Sequence, residues 1–269
     1  MTDIMNYELA IVTGAARGIG EVVAAQLAAA GGRVVLSDIN AEGVEAAAAR
    51  IREAGGDAVG MACDVGSDED VTHFRDAVVE RLGAPDLLIN NAAAQQFGSG
   101  GVDELDLSRW RASFEVNVLG DVRMVHAFLP AMRAAGRGHI VNTASSLAIR
   151  PNAVVQHLMP YVTSKGAVMT FTYALAFALK DTPLDVSLFC PGLTSTTPDG
   201  SAKPKAMGWM KDVPEELTRP GTMTDAAAAL LDGLASGQFL ISSDAGYAAA
   251  IVRFAQAGLD PLSDFNKAP

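Results

Sequence analysis

The stretch LAIVTGAARGIG, residues 9–20, decides the fold of this chain. Five mostly apolar residues, Leu9–Thr13, predict a buried strand that runs directly into the glycines Gly14, Gly18 and Gly20. Glycine is needed where a strand turns sharply into a helix and where backbone must approach a pyrophosphate closely. The N-terminus of the following helix offers N–H groups and a favourable dipole to phosphate. A glycine-rich turn alone is a weak signal, but between a strand and a helix it predicts a dinucleotide site.

Short apolar segments alternate with longer Ala-rich segments along the rest of the chain. The predicted strands are Leu9–Thr13, Arg33–Ser37, Ala58–Cys63, Leu87–Asn90, His139–Thr143, Asp185–Cys190 and a weaker Phe239–Ser242. The predicted helices are Ile19–Ala30, Ala41–Ala54, Asp68–Arg81, Leu107–Ala135, Val162–Lys180 and Asp225–Ala235, with one more after Ala245. Strands that are apolar throughout are typical of a parallel sheet covered on both faces. We expect an α/β fold, a Rossmann-like doubly wound parallel sheet of about seven strands with helices on both faces.

We expect a single domain over residues 1–269, with one segment that departs from the alternation. Residues 194–214 are rich in Pro, Gly, Ser and Lys and then carry Met207, Trp209 and Met210. They predict a flap beside a substrate pocket, with an ordinary surface loop as the alternative.

The composition excludes several classes of function. Lys and Arg number 20 against 31 Asp and Glu, a net charge of −11, which argues against binding nucleic acid or an anionic membrane surface. The most apolar stretch, 167–179, is too short to span a bilayer, and the acidic N-terminus has no secretory signal, so we expect a cytoplasmic protein. Cys63 and Cys190 each follow a predicted strand and are expected to be buried and reduced. The four histidines show no metal-binding spacing, so no metal is expected.

The second predicted strand is followed directly by an acid. Asp38 lies eighteen residues past Gly20, where a carboxylate accepts hydrogen bonds from both ribose hydroxyls of NAD and repels the 2′-phosphate of NADP. A helix N-cap or turn aspartate is the alternative. Arg17, beside the glycines, favours NADP instead, because a cation there would bind a 2′-phosphate. We give Asp38 more weight and predict NAD as the cofactor, with NADP less favoured.

A tyrosine and a lysine start the long helix predicted after residue 160. Tyr161 and Lys165 stand four residues apart, so both side chains share one face of the helix. A free tyrosine has a pKa near 10, and bringing it to about 7 needs roughly 4 kcal/mol of differential stabilisation. The Lys165 ammonium and a positively charged nicotinamide together favour the phenolate. The pair is therefore a candidate for proton transfer.

These motifs together resemble the short-chain dehydrogenase/reductase family of classical type. Thr13-Gly14-x-x-x-Gly18-x-Gly20, Asn90-Asn91-Ala92-Ala93 and Tyr161-x-x-x-Lys165 occur in the family's order. The resemblance implies a catalytic set of four residues. Ser145, with Ser146 as the alternative, would hydrogen-bond the substrate oxygen. Asn117 would support a water relay that reaches Lys165.

The resemblance also implies the cofactor contacts. Asp64 and Val65 match the pair that contacts adenine, and Pro191, Gly192 and Thr194, or Thr196, match the segment that holds the nicotinamide amide. The full set expected to bind the cofactor is Gly14, Arg17, Gly18, Ile19, Asp38, Asp64, Val65, Asn91, Ala92, Tyr161, Lys165, Pro191, Gly192 and Thr194.

The function predicted is an NAD-dependent oxidoreductase, an alcohol dehydrogenase or reductase that interconverts a secondary alcohol and a ketone. An NAD-binding sensor without turnover is the alternative. The mixture of side chains expected at the pocket favours a medium-sized, largely apolar small-molecule substrate: Gln95, Gln96, Leu147, His157, Leu158, Met207, Trp209 and Met210. Helices Leu107–Ala135 and Val162–Lys180 have wide apolar faces, which in the family pair across a two-fold axis, so a homodimer or homotetramer is expected.

Overall fold

Seven parallel strands form one sheet in the computed structural model, which describes residues 7–94, 105–195, 220–244 and 246–263. The strands are β1 Leu9–Thr13, β2 Arg33–Asp38, β3 Asp57–Ala62, β4 Leu87–Asn90, β5 Gly138–Thr143, β6 Leu184–Phe189 and β7 Leu240–Ile241. Their order across the sheet is β3-β2-β1-β4-β5-β6-β7, with every neighbouring pair parallel. This order confirms the predicted doubly wound sheet.

The helices follow the strands as the alternation predicts. They are α1 Gly18–Ala29, α2 Ala41–Glu53, α3 Asp68–Leu82, α4 Leu107–Phe114, α5 Gly120–Ala135, α6 Ser146–Ile149, α7 Met159–Leu179, α8 Met223–Ala235 and α9 Tyr247–Gln256. One prediction is wrong: the continuous helix over 107–135 is divided into α4 and α5 by a π-helical turn, Glu115–Leu119. A π turn holds one extra residue per turn. This small change leaves the spacing of apolar residues almost the same, so the sequence gives no sign of it.

Both faces of the sheet are buried, and alternate residues of β1 show how. Ala10 and Val12 join a core layer with residues of α1, α2 and α8. Leu9 and Ile11 face the other way and join Phe128 of α5 and residues of α3 and α7. Successive side chains of a strand point to opposite faces, so only a strand that is apolar throughout satisfies both layers. The prediction of helices on both faces is confirmed.

Helix α7 corrects a second expectation. The stretch predicted to be too short for a bilayer lies in a helix of 21 residues, which by length and composition alone is able to cross a membrane. The packing of α7 instead indicates a helix that covers the sheet. Lys165 and Thr172 are buried and hydrogen-bond to β5 residues, as expected of a core helix that covers a sheet. Cys63 and Cys190 are buried and unpaired, as predicted.

Candidate active site

The predicted site segments all lie at one edge of the sheet. The glycine-rich turn follows β1, Asp38 ends β2, Asp64 follows β3, Asn91 follows β4, Ser145 follows β5 and Pro191 follows β6. Parallel strands bring their carboxyl ends to the same edge, and ligands of doubly wound sheets bind there. The topology therefore gathers segments that are up to 177 residues apart in the sequence (residues 14 to 191).

The glycine-rich turn requires glycine for two separate reasons. Gly14 and Gly18 have φ angles of +63° and +74°, in the left-handed region that side chains avoid. A Cβ on Gly14 would also lie 2.7 Å from the Cα of Ala92. Arg17 occupies the N-cap position of α1, and its side chain makes no capping hydrogen bond. The first N–H groups of α1 are therefore suited to an anion, as a pyrophosphate site requires.

Asn91 and Ala92 fix the turn from the neighbouring strand. The hydroxyl of Thr13 accepts hydrogen bonds from the backbone N–H of Asn91 at 2.9 Å and of Ala92 at 3.0 Å. The Asn91 amide donates in return to the carbonyls of Thr13 at 2.9 Å and Gly14 at 3.2 Å. These bonds give Asn91 a role in shaping the glycine-rich turn, which the sequence motif alone did not reveal.

The Asp38 carboxylate is tied to the same turn. Its Oδ2 accepts from the backbone N–H of Ala16 at 3.1 Å, and its Oδ1 accepts from that of Asn40 at 3.0 Å. The N-cap of α2 is Asn40, whose Oδ1 accepts from Gly43, so Asp38 does not cap the helix. Its bond to Asn40, two residues on, is that of a turn aspartate, which was the other form of the alternative. Each carboxylate oxygen retains a second acceptor position, which leaves Asp38 able to bind a ribose. Arg17, the residue after Ala16, is exposed.

The remaining predicted cofactor segments border this edge. Asp64 is half-buried and its Oδ1 accepts from the N–H of Gly66 at 2.8 Å, while Val65 is buried against Gly120. Across the edge, Pro191 accepts from the N–H of Ser146 at 3.1 Å.

The last predicted cofactor segment is joined to residues just after β7 and just before α8. Gly192 N–H donates to the Ser243 hydroxyl at 3.2 Å, and Thr194 pairs with Gly221 in an isolated bridge. Thr196 lies outside the described residues.

Ser145, Tyr161 and Lys165 are brought together between β5 and α7. The Ser145 hydroxyl lies close enough to the Tyr161 phenol to lower its pKa. Ser145 also caps α6 by accepting from the N–H of Leu147 at 3.3 Å, which fixes its side chain. Lys165 is 2% exposed, donates to the carbonyl of Thr143 at 2.6 Å, and places Nζ 5.9 Å from the centre of the Tyr161 ring. Ser146, the alternative, is buried, and its carbonyl accepts from the hydroxyl of Tyr247.

The pKa of Tyr161 is raised in the chain alone, opposite to the direction needed for a base. Burial raises it to about 12, and the Ser145 hydroxyl acts against this. Burial also lowers the pKa of Lys165. Desolvation therefore disfavours both charged forms, and the phenolate requires further positive charge nearby.

Asn117 lies in the π turn and is fully buried. Its amide nitrogen donates to the Ser164 hydroxyl at 2.8 Å and to the carbonyl of Ala94 at 3.3 Å, and its oxygen accepts from the N–H of Ala94 at 2.7 Å. Ser164 in turn donates to the carbonyl of Tyr161 at 2.6 Å. Asn117 thus joins the segment after β4 to the turn of α7 that bears Tyr161.

Sequence reasoning missed a buried polar chain behind the site. Asn90 donates to Asn142 at 2.9 Å, Asn142 donates to Thr172 at 3.1 Å, and Thr172 donates to the carbonyl of Val168 at 2.7 Å. This polar chain links β4, β5 and α7. The signal available was the presence of Asn and Thr at positions that the apolar pattern marks as buried.

Only part of the predicted substrate pocket is described. Leu147 is half-buried next to Ser145, Leu158 is buried just before α7, and His157 is half-buried in the 3₁₀ turn Ala153–His157. The other predicted pocket residues lie outside the described residues, as does the flap from 196 onward: Gln95, Gln96, Met207, Trp209 and Met210. Within the described ranges, no three His, Cys, Asp or Glu side chains are grouped to hold a metal ion.

The sheet order and the glycine-rich turn define a Rossmann-type α/β protein. The family model described as short chain dehydrogenase matches residues 8–206, and the chain belongs to this family of oxidoreductases. It is 38% identical over 193 residues to a putative ketoacyl reductase of Streptomyces coelicolor, covering 71% of this chain and 72% of the relative.

Two solved structures of the family resemble the whole fold. One is a short chain dehydrogenase/reductase from Burkholderia phymatum in complex with NAD, with a TM-score of 0.81, 26% identity, and coverage of 95% of this chain and 96% of the other. The second is a metagenomic short-chain oxidoreductase in complex with NADP, with a TM-score of 0.70, 30% identity, and coverage of 87% and 94%. Members of the family with this fold therefore bind either coenzyme.

Proposed function

We propose that this oxidoreductase interconverts a secondary alcohol and a ketone with NAD, using Ser145, Tyr161, Lys165 and Asn117. The observation that carries the proposal is the cluster between β5 and α7. There the Ser145 hydroxyl lies close enough to the Tyr161 phenol to lower its pKa, and Lys165 Nζ lies 5.9 Å from the centre of the tyrosine ring.

The residues at the sheet edge fit a dinucleotide. Gly14 and Gly18 leave the turn without side chains, and the N-terminus of α1 lacks a side-chain cap. The Asp38 carboxylate, at the end of β2, matches the ribose and its negative charge opposes a 2′-phosphate, which favours NAD over NADP. Ile19, Asp64, Val65, Pro191, Gly192 and Thr194 would complete the binding surface. When bound, the nicotinamide supplies the hydride acceptor and, in its oxidised form, a positive charge.

In the alcohol-oxidising direction, Tyr161 removes the hydroxyl proton and Ser145 donates a hydrogen bond to the substrate oxygen, where charge develops. Lys165 holds the cofactor ribose, and its ammonium favours the phenolate form of Tyr161. Asn117 supports the water that carries the proton onward. Since the pKa of Tyr161 is raised to about 12 in the chain without cofactor, mainly by burial, the mechanism depends on the two positive charges acting together.

Replacement of one hydroxyl tests the proton-transfer step. Tyr161→Phe should abolish NADH formation from a panel of secondary alcohols while leaving NADH binding intact. Tyr173→Phe is the matched control, because Tyr173 lies on the same helix but is 40% exposed and stacks on Phe239. Substantial turnover by Tyr161→Phe would refute the role of the phenol. A wild-type protein that binds NAD but oxidises no alcohol would favour the sensor alternative.

The preference for NAD or NADP is tested by a substitution that removes the charge of Asp38 and keeps the size of its side chain. Asp38→Asn keeps an oxygen to accept from Ala16 or Asn40 and removes the charge that opposes a 2′-phosphate. We expect the ratio of kcat/KM for NAD over NADP to fall by about tenfold or more. An unchanged ratio would show that Asp38 does not contact the ribose. Arg17→Ala should move the ratio in the opposite direction if Arg17 assists a 2′-phosphate.

The described part of the pocket, Leu147 and Leu158, favours a largely apolar substrate. Apolar side chains are exposed on α5 and α7 and just before α5: Val122, the 81% exposed Phe177 and Leu119. These exposed side chains favour a homodimer or homotetramer. Phe177→Asp should shift the mass measured by light scattering toward the monomer. A cytoplasmic location, a single domain and the flap stay predictions.

A further inference from the structure

The chain just after β7 takes part in an ion pair that the proposed mechanism does not use. The carboxylate of Asp244 accepts a hydrogen bond from the guanidinium of Arg150, the residue that follows α6. The side chains of Arg150 and Asp244 are only 17% and 20% exposed, so the pair is largely shielded from water. The two residues are 94 apart in the sequence, and their contact joins the chain after β5 to the chain after β7.

The segment after β6, residues 190–192, is bonded to both of the regions that this pair joins. On one side, the N–H of Ser146 in α6 donates to the carbonyl of Pro191 at 3.1 Å. On the other side, the N–H of Gly192 donates to the hydroxyl of Ser243 at 3.2 Å. The ion pair therefore connects directly the two supports on which this segment rests.

Asp244 also lies directly against Gly192. A Cβ placed on Gly192 would lie 3.2 Å from the Cβ of Asp244, closer than side chains ordinarily approach. Strand β7 has only the two residues Leu240–Ile241, which pair with β6 at two positions, so backbone pairing gives little hold on the chain beyond it. The bond from Arg150 therefore helps to fix where Asp244 lies beside Gly192.

Stability alone is a poor explanation of the pair. The Nε of Arg150 is buried and has no hydrogen-bond partner among the residues that the structure describes. Removing a guanidinium and a carboxylate from water costs solvation energy, which offsets much of their attraction. A charged hydrogen bond does, however, fix the direction of approach as well as the distance. These properties suit a contact that sets geometry.

We propose that Arg150 and Asp244 are positioning residues that hold the segment after β6 in place relative to Ser145 for a bound nicotinamide. Ser145 precedes α6 and Arg150 follows it, so the pair ties the proposed catalytic serine to the segment expected to hold the nicotinamide amide. The inference rests on the proposed function, of which that role of the segment is a part. Asp244 lies beyond the residues that the family model matches, which end at 206.

Two ligands separate the nicotinamide from the rest of the coenzyme. ADP-ribose has the adenine, both riboses and the pyrophosphate of NADH, and it lacks the nicotinamide. Arg150→Met and Asp244→Asn each break the pair. In isothermal titrations each should raise the Kd of NADH by about fivefold or more and change the Kd of ADP-ribose by less than about twofold.

Two further variants and a control show whether the effect belongs to the pair. Because both substitutions remove the same contact, the double variant should bind NADH no more weakly than the weaker single variant. Arg150→Lys keeps the charge and should lose less affinity than Arg150→Met. Arg33→Met is the matched control, since Arg33 pairs with Asp57 at the start of β2 and β3 with both side chains half-exposed, and it should change neither Kd.

The ratio of the two affinities decides the matter. If Arg150→Met and Asp244→Asn weaken NADH and ADP-ribose equally, the pair has a merely structural role and the proposal is overturned. Unchanged binding of both ligands would overturn it as well. If one single variant does not fold, the other gives the decision, since each breaks the same pair.

The wild-type protein distinguishes this failure from a failure of the proposed function. If it binds NADH no more tightly than ADP-ribose, the nicotinamide contacts are rejected together with the inference. If it prefers NADH and loses turnover in Tyr161→Phe, while Arg150→Met keeps the full preference, the function stands and the inference alone is rejected.

Discussion

The stability of this chain should fall in mild acid because of one buried histidine. His139 in β5 is 5% exposed; its Nε2 lies 2.8 Å from the Ser187 hydroxyl and its Nδ1 lies 3.1 Å from that of Tyr7. Ser187 donates its single proton to the carbonyl of Gln238 at 2.8 Å, so it accepts from Nε2. Nδ1 is then the acceptor for Tyr7, and the neutral imidazole satisfies the whole network.

The magnitude follows from the pKa. Burial lowers the pKa of His139 from 6.5 to about 4, with Asp185 acting weakly in the other direction. The folded pKa lies below the unfolded one, so the stabilisation is complete above about pH 6.5 and is lost as the pH falls toward 4. Linkage gives a loss of about 2 kcal/mol in the free energy of unfolding between pH 7 and pH 5.

The assay is urea unfolding at pH 7 and pH 5 at one protein concentration, since association would otherwise change the apparent stability. The comparison is with His139→Gln, which does not titrate and retains a donor for Ser187. Subtracting the two proteins removes the contribution of every other acid and base. The wild type should lose about 2 kcal/mol more than the variant. Parallel losses in both proteins would refute the assignment of a buried, neutral His139.

Two further predictions concern the turn and the core. Gly14→Ala should weaken NAD binding by about tenfold or more, because its Cβ would lie 2.7 Å from the Cα of Ala92 and displace the turn. Gly237→Ala is its control: φ is +65° there and no described atom lies within 4 Å, so isothermal titration should find NAD affinity unchanged. Phe128→Ala should lower the unfolding free energy by about 3–5 kcal/mol in urea titrations, since Phe128 is fully buried edge-on to Phe74. A loss under about 1 kcal/mol would contradict this packing.

The architecture was predictable because its signals are local. A strand that is apolar throughout needs helices on both faces, and the glycines after Thr13 mark where the first strand turns, so sheet and turn follow from short windows of sequence. The π turn was not predictable, because an extra residue within one turn leaves the apolar period of 107–135 nearly unchanged. The ends of the predicted strands differ from the observed ends by at most one residue, because the pairing of strands, and not the apolar pattern, decides where a strand ends.

The individual residues of the site were predictable, but the contacts between separate elements that hold them together were not. Tyr161 and Lys165 share a helix, so their proximity follows from spacing alone. The bond from Asn117 to Ser164 depends on how the π turn packs against α7, which no local pattern encodes. Asp38 illustrates the same limit, since its bond to Ala16 exists only once β1 and β2 are paired.

The polar chain from Asn90 through Asn142 to Thr172 has a mechanical consequence. Helices that rest on a sheet through apolar side chains alone are able to slide along their axis by small steps at little cost. Thr172 prevents this for α7, because any axial shift would separate its buried hydroxyl from the equally buried Asn142. The hydrogen bond of Thr172 therefore fixes the positions of Tyr161 and Lys165, which lie two to three turns earlier on α7. Loops around the substrate are free to diversify without moving them.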